Sequence, residues 1–107
     1  MEKELFIRQC AVEGRILWTY HVNMRLEERK ISTVDITIAL NNCSIIEEYS
    51  QDVFLPSYLV LGYDNKGNPV HVVIALDEKK GNIRIITSYR PSLGRWENGF
   101  KIRRGKR

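Results

Sequence analysis

The sequence predicts an α+β domain in which N-terminal helices pack on one face of a four-stranded antiparallel sheet. Apolar residues recur with helical spacing only before residue 41, whereas four runs rich in β-branched residues follow between residues 44 and 89. The connections between the last three runs are short, which favours antiparallel neighbours. A chain of 107 residues that is 43% hydrophobic can form a substantial core, so we expect a single domain over residues 1–107.

Local capping signals mark the ends of three predicted helices. Gly14 follows the first helix in the place of a left-handed cap, and Thr19 is the expected N-cap of the second. Residues 15–18 are predicted to be an apolar connector between these helices. Ser32 and Asp35 have the spacing of a capping box at the start of the third. The predicted helices are residues 4–13, 20–30 and 33–40.

Turn residues divide the second half of the chain into four predicted strands. Gly67 ends a hairpin loop where a left-handed residue is favoured, and Pro91 closes the last strand because it cannot donate to a ladder. Glu47 and Glu48 indicate that the first strand lies near an edge of the sheet. The predicted strands are residues 44–49, 57–63, 69–77 and 82–89, with a loop over residues 50–56.

The last strand is expected to be an interior one, because both of its faces contain apolar residues. The strand would deliver Tyr89 and Arg90 to its C-terminal end, next to most of the positive charge. Strict alternation divides its residues into two faces, one with Ile83, Ile85, Thr87 and Tyr89, the other with Arg84, Ile86, Ser88 and Arg90.

Positive charge is concentrated at the C-terminal end of a chain whose net charge is +4. Residues 84–107 hold eight Lys or Arg and one acidic residue, whereas residues 1–83 hold nine basic and twelve acidic residues. A basic end favours a polyanionic partner. The alternative is that residues 101–107 are a solvated, frayed terminus, and charge alone does not decide between the two. The expected contacts with a nucleic-acid backbone are Arg95, Lys101, Arg103 and Arg104.

His21, Arg25 and Arg29 are four residues apart in the second predicted helix and therefore form one stripe. Two arginines one turn apart repel each other unless a negative charge lies between them. That charge is either an acidic side chain in an ordinary ion pair or a bound phosphate or sulfate. The candidate acids are Glu28, Glu47, Glu48 and Asp77. Apolar residues are expected on both sides of the stripe, with Tyr20, Met24 and Ile31 on one side and Val22 and Leu26 on the other.

Several kinds of chemistry have no support in the sequence. The two histidines lack an HxH or HExxH pattern, no Asp-x-Asp cluster occurs, and neither a Gly-rich phosphate loop nor a nucleophile elbow is present. We therefore expect no metal and no cofactor. Cys10 and Cys43 are expected to be reduced core thiols of a cytoplasmic protein that does not enter a membrane, since neither a signal-peptide pattern nor a long apolar run occurs.

The remaining residue types fit metal-free cleavage of RNA. A base takes the proton of the ribose 2′-hydroxyl, the 2′-oxygen attacks the phosphorus, and an acid protonates the leaving 5′-oxygen. Imidazole suits either proton-transfer role, and guanidinium groups suit the charged transition state. His71 is either an additional member of such a site or a strand residue with one hydrogen bond. Trp96 is either a core anchor or a platform on which bases stack.

Three segments of the sequence form an ordered set of motifs. They are His21-x3-Arg25-x3-Arg29-x-Ile31-Ser32, Gly67-x-Pro69-x-His71-Val72-Val73, and Thr87-x-Tyr89-Arg90-Pro91 followed by Trp96 and Phe100. Together these segments resemble an uncharacterised prokaryotic domain family that is grouped with RelE-like and BrnT-like ribonuclease toxins. The resemblance extends over residues 16–104. It implies a core over residues 15–100, between an N-terminal helix (residues 1–14) and a basic tail (residues 101–107). It also implies a fold of the barnase, EndoU, colicin and RelE kind.

The leading hypothesis is a metal-independent endoribonuclease toxin, with RNA as its substrate and a cognate antitoxin as its protein partner. By the resemblance, the first three of the expected catalytic residues fall on the family's helix signature and the last two on its last-strand signature. The five residues are His21, Arg25, Arg29, Tyr89 and Arg90. His21 would be general base or acid, the arginines would grip the phosphate, and Tyr89 would orient or protonate. One alternative is a non-catalytic module that binds nucleic acid or protein. Another is an enzyme for a small phosphorylated metabolite, although a small-molecule ligand is not the expected partner.

Overall fold

The computed structural model describes residues 2–49 and 55–105, which form three helices on one face of a five-stranded sheet and a separate two-stranded ribbon. The strand order in the sheet is β1-β5-β4-β3-β2, and the ribbon pairs β6 with β7. The helices are α1 (Lys3–Glu13), α2 (Tyr20–Arg29) and α3 (Thr33–Asn41). The strands are β1 (Ile16–Leu17), β2 (Ser44–Tyr49), β3 (Ser57–Tyr63), β4 (Pro69–Asp77), β5 (Asn82–Tyr89), β6 (Trp96–Glu97) and β7 (Ile102–Arg103).

The predicted helices and their caps are confirmed. Gly14 ends α1 in the left-handed conformation, with φ of 73°, and the Thr19 hydroxyl accepts a hydrogen bond from an amide in the first turn of α2. Ser32 and Asp35 make both hydrogen bonds of a capping box at the start of α3. Lys30 was predicted to be the last residue of α2 and is instead its left-handed cap, with φ of 57°.

The four predicted strands are confirmed with their bounds, and β2 lies at an edge of the sheet as expected. Gly67 ends the β3–β4 loop with φ of 81°, as the hairpin signal predicted. Of the predicted loop over residues 50–56, residues 50–54 lie outside the described residues. Cys10 and Cys43 are free, buried thiols, as predicted. In the part of the chain that the structure describes, no helix is long and apolar enough to cross a membrane.

The prediction of a four-stranded, wholly antiparallel sheet is wrong, because residues 16–17 form a fifth strand. β1 pairs in parallel with β5, with Ile16 opposite Ile83. The segment was predicted to be a connector because two residues are too few to show a strand period. Among residues 2–49 and 55–105, this pairing covers only the start of β5, so β5 has strands on both sides at that end alone.

The predicted division of β5 into two faces is correct only as far as Ile85. The register shifts at Ile86, since Ile74 pairs with Ile85 but the preceding residue of β4 pairs with Thr87. A β-bulge of this kind inserts one residue and reverses the side on which the following side chains lie. Beyond the bulge, Ser88 lies on the helix-covered face, while Thr87 and Tyr89 lie on the other face.

The face of the sheet opposite the helices is covered by the β6–β7 ribbon. Trp96 of β6 is 3% exposed. It is therefore a core anchor, which is one of the two alternatives that the sequence predicted for it. Arg103 of β7 makes two hydrogen bonds with Glu47 of β2, at 2.8 and 3.1 Å. Residues 101–105 of the predicted basic tail are therefore folded, so the alternative of a frayed terminus is wrong for them. Residues 106 and 107 lie outside the described residues.

We expect Gly62→Ala to destabilise the protein, because α3 packs directly on Gly62 of β3. A Cβ at this position would lie 2.1 Å from the carbonyl oxygen of Ala39, which belongs to the helix backbone and cannot rotate away. Overpacking of this kind costs about 1–3 kcal/mol or more. Urea unfolding followed by circular dichroism measures the loss.

Gly94→Ala is the matched control, since its nearest atom would be 3.9 Å from the new Cβ and its φ is not positive. Its unfolding free energy is expected to stay within about 0.5 kcal/mol of the parent value. Equal stability of the two variants would contradict the close packing of α3 on β3.

Candidate active site

An open groove of about 840 Å³ lies at the C-terminal end of β5, between the sheet and the ribbon. Four arginines from the basic end of the chain line it, together with three aromatic residues. The arginines are Arg90, Arg95, Arg103 and Arg104, and the aromatic residues are Tyr49, Tyr89 and Trp96. We call this cavity the arginine groove. Five of the predicted site residues, Tyr89 and the four arginines, are thus brought together.

Arg90 is bound by acidic residues of the fold. Its Nη1 lies 2.9 Å from Asp64, and its Nη2 lies 3.5 Å from Asp35 of α3. The backbone amides of Asn68 and Lys66, with Arg90 itself, hold the pKa of Asp64 below its usual value, so this carboxylate is ionised at neutral pH. Arg90 therefore joins α3 to the β3–β4 loop, and much of its charge is already neutralised.

Arg103 is likewise committed to a structural role. Its guanidinium makes the two hydrogen bonds with Glu47 and lies 4.8 Å from the centre of the Trp96 ring, a cation–π distance. Tyr49 donates to the same carboxylate at 2.6 Å. Burial and then this bond raise the pKa of Tyr49 to about 12. Tyr49 is therefore protonated at neutral pH.

Arg95 and Arg104 supply the available positive charge of the arginine groove. Among the described residues, the Arg95 side chain has no hydrogen bond or ion pair. Arg104 donates its Nε to the carbonyl of Leu93 at 2.5 Å, which leaves both terminal nitrogens without a protein partner in the described part of the chain. Two exposed guanidinium groups at one groove can bind the oxygens of a phosphate.

Tyr89 joins the arginine groove to a buried histidine. His71 of β4 is opposite Tyr89 in the ladder and has no exposed surface. Its Nδ1 lies 3.2 Å from the Tyr89 hydroxyl and its Nε2 lies 2.8 Å from the carbonyl oxygen of Phe100. The alternative that His71 is a strand residue with a single hydrogen bond is therefore wrong, because both ring nitrogens have a hydrogen-bond partner.

Burial controls the ionisation of this pair. It lowers the pKa of His71 below 6.5, an effect that the Phe100 carbonyl and Glu47 oppose and that Arg103 adds to. Burial also raises the pKa of Tyr89 above 10. At neutral pH the imidazole is neutral and the phenol is protonated, so the two groups share one hydrogen bond without a charge.

The basic stripe of α2 is not part of the arginine groove. Arg29 donates its Nη1 to the Ser88 carbonyl at 2.7 Å and to the Thr87 hydroxyl at 3.0 Å, so its partner among the described residues is β5 and not one of the expected acids. His21 and Arg25 are exposed and have no side-chain partner among the described residues. His21 lies eight residues before Arg29, which is about 12 Å along the helix axis.

The remaining predictions for this region are met in part. Val22 and Leu26 are buried under α2, and Ile31 is buried beyond it, but Tyr20 is 79% and Met24 is 46% exposed. One side of the stripe is therefore buried, at Val22 and Leu26, whereas the other side is buried only at Ile31. Lys101 is exposed and does not line the arginine groove.

Tyr49 and Glu47 are the site residues that the sequence did not indicate. As an ion-pair partner, Glu47 was assigned to the α2 arginines, and it binds instead Arg103, which lies 56 residues further along the chain. No local pattern reports such a pair. The described residues contain no group of three His, Cys, Asp or Glu side chains that could hold a metal ion.

We expect the protein to lose stability as the pH falls from about 7.5 to about 5.5, because of His71. Its pKa is lower in the folded state than the value of about 6.5 in the unfolded chain. The unfolded state therefore binds the proton first, and stability is lost as the pH falls below 6.5 towards the folded pKa. Urea unfolding at the two pH values measures the difference.

His71→Gln is expected to remove most of that pH dependence, whereas His21→Gln, at the exposed histidine, should keep it. An equal pH dependence in the parent and in His71→Gln would contradict the assignment.

Comparison with known proteins gives one match. Residues 18–90 match the domain family described as a domain of unknown function, DUF4258. No curated protein and no solved structure matched significantly, so the expected likeness to the RelE fold has no support from a structural comparison. The matched residues extend from just before α2 to Arg90 and include His71 and Tyr89, whereas Arg95, Arg103 and Arg104 lie beyond them. Because the match spans well over half of the chain, this protein belongs to the DUF4258 family.

Proposed function

We propose that the protein is a metal-independent endoribonuclease and that the arginine groove is its active site. The observation that supports this is the Tyr89 hydroxyl at the groove, hydrogen-bonded at 3.2 Å to a buried imidazole. Beside it, the Arg95 side chain and the two terminal nitrogens of Arg104 have no partner among the described residues. A proton-transferring group next to available guanidinium groups is what transesterification of RNA requires.

Each group has a distinct task in the proposed reaction. Arg95 and Arg104 bind the non-bridging oxygens of the scissile phosphate and stabilise the charge that grows on them in the transition state. Tyr89 exchanges a proton with the reacting ribose or with the leaving oxygen. Arg90 and Arg103 hold the walls of the groove in place through Asp64, Asp35 and Glu47.

The basic stripe of α2 has a subordinate place in this proposal. Arg29 fixes α2 to the end of β5 through Thr87 and Ser88. His21 and Arg25 have no side-chain partner among the described residues, so in this proposal they contact the backbone of RNA that leaves the groove along α2. The sequence-based assignment of His21 as general base or acid remains a prediction.

The proposal includes the toxin class, with a cognate antitoxin as the protein partner. Its support is the set of three motifs in the sequence, together with a mixed α+β fold in which helices cover one face of the sheet. Growth arrest on expression in a bacterial host, and relief by a short neighbouring reading frame, would support this part.

A second candidate function is a non-catalytic module that binds RNA. Two observations favour it: neither nitrogen of His71 is exposed to the groove, and the charges of Arg90 and Arg103 are largely neutralised. Such a module would bind a phosphate backbone through Arg95 and Arg104 without cleaving it.

We expect the purified protein to cleave RNA in the presence of EDTA and to leave 2′,3′-cyclic phosphate ends. Arg95→Ala combined with Arg104→Ala should lower the cleavage rate about 10²-fold, because the negative charge on the phosphate oxygens in the transition state is no longer stabilised by these two guanidinium groups. Gel analysis of a labelled RNA, with and without a 2′-deoxy substitution at the cut site, measures this.

Lys79→Ala is the matched control, since it removes an exposed cation in the β4–β5 turn, at the other end of β5 from the groove. Its rate should stay at the parent value. RNA binding that weakens with salt, with no product at any enzyme concentration, would support the second candidate instead.

We expect Tyr89→Phe to reduce cleavage at least about 10²-fold and His21→Gln to change it less than about threefold. Loss of the hydroxyl removes the proton-transferring group at the groove while the ring remains. Single-turnover cleavage by both variants, with circular dichroism to verify folding, measures the effect. A large loss of cleavage in His21→Gln with little change in Tyr89→Phe would indicate instead that the catalytic residue lies on α2.

A further inference from the structure

The turn between β6 and β7 has an unusual backbone. Asn98, Gly99 and Phe100 are three consecutive residues with positive φ, at 53°, 67° and 68°. Residues with a side chain avoid this region because Cβ comes too close to a carbonyl oxygen, and an aromatic residue such as Phe100 rarely adopts it. A conformation of this kind persists only where the surroundings impose it.

The turn brings a carbonyl to the buried imidazole. The Phe100 oxygen lies 2.8 Å from Nε2 of His71. A carbonyl oxygen can only accept, so Nε2 must bear a hydrogen. In a neutral imidazole the other nitrogen, Nδ1, then has a free lone pair and must be the acceptor in its contact with Tyr89.

The neighbours of His71 hold the ring in this orientation. The Trp96 ring packs edge-on against it with centroids 4.4 Å apart, and the Tyr89 ring does so at 5.3 Å. The imidazole has no exposed surface, so a flip of the ring would leave the carbonyl without a donor and the hydroxyl without an acceptor.

The consequence concerns the single hydrogen of the Tyr89 hydroxyl. That hydrogen points to Nδ1 of His71, so the free lone pairs of the oxygen face the arginine groove. An oxygen in this state accepts a hydrogen bond from a ligand and does not donate one.

We propose that His71 is a positioning residue, held in one tautomer by the Phe100 carbonyl, that makes Tyr89 the proton acceptor for the 2′-hydroxyl of RNA. The inference rests on the proposed function and assigns the base of that reaction. The 2′-O–H bond breaks, its proton moves to the Tyr89 oxygen, and the Tyr89 proton moves to Nδ1 of His71. The 2′-oxygen then bonds to phosphorus, and the leaving 5′-oxygen takes a proton from water in the open groove. His71 returns its extra proton through Tyr89 to solvent.

Two substitutions at residue 71 separate the two hydrogen bonds. His71→Gln places an amide donor near the position of Nε2, so it keeps the bond to Phe100 and removes the acceptor for Tyr89. His71→Asn places an amide oxygen near the position of Nδ1, so it keeps the acceptor and leaves the carbonyl unpaired. We expect both substitutions to lower kcat about 10²-fold with unchanged KM, because neither amide can take up the proton that Tyr89 passes on. His71→Asn still accepts the hydrogen bond of the Tyr89 hydroxyl, so a parental kcat in His71→Asn would overturn the transfer of that proton to residue 71.

A substrate-free measurement tests the tautomer directly. Nitrogen-15 NMR of the His71 ring should show a protonated Nε2 and an unprotonated Nδ1, and Tyr89→Phe should shift the Nδ1 signal alone. A protonated Nδ1, or a parental kcat in a folded His71→Gln protein, would overturn the role of His71 even if the protein cleaves RNA. If the parent protein does not cleave RNA, both the proposed nuclease activity and the role of Tyr89 as base are wrong. The NMR spectrum of the His71 ring needs no substrate, so it shows separately whether the proposed tautomer is correct.

Discussion

The attachment of the C-terminal ribbon to the sheet through Arg103 and Glu47 is the interaction on which the candidate site depends. The two hydrogen bonds between them join β7 to β2, and the same guanidinium lies over the ring of Trp96. Without this contact the second face of the sheet would be open, and the groove would lose one of its walls. The hydrogen bond to the carboxylate raises the pKa of Arg103, which therefore stays charged at any physiological pH.

Because the ribbon is fixed, a histidine near the start of β4 becomes an interior residue. The ribbon supplies both the Trp96 ring and the Phe100 carbonyl that surround His71. Burying an imidazole requires that both nitrogens find partners, since an unpaired polar group in the interior is costly. Tyr89 is the second partner, and it is also the group that meets solvent. The hydrogen bond between His71 and Tyr89 thus follows from the burial of a polar strand residue beneath the β6–β7 ribbon.

The arginines of the basic end divide into two classes by their partners. Arg90 and Arg103 are bound by carboxylates from elements distant in sequence, and they organise the groove. Arg95 and Arg104 have guanidinium nitrogens that no described residue binds, and these can bind a ligand. A count of charges could not make this distinction, since all four residues contribute equally to the net charge. Three of the four lie beyond the residues that match the family, so the groove combines a family strand with a C-terminal ribbon outside the match.

The sequence by itself determined the elements whose signals are local. Gly14, Thr19 and the Ser32–Asp35 box act within a few residues of the helix ends they define, and the strand bounds follow from β-branched runs closed by turn residues. Tertiary structure alone decided the pairing of β1 with β5, the bulge at Ile86 and the meeting of His71 with Phe100, because each depends on residues far apart in the chain. The helical stripe of His21, Arg25 and Arg29 shows the limit clearly. Its spacing correctly placed the three residues on one helix, but where that helix packs decided that only Arg29 meets β5.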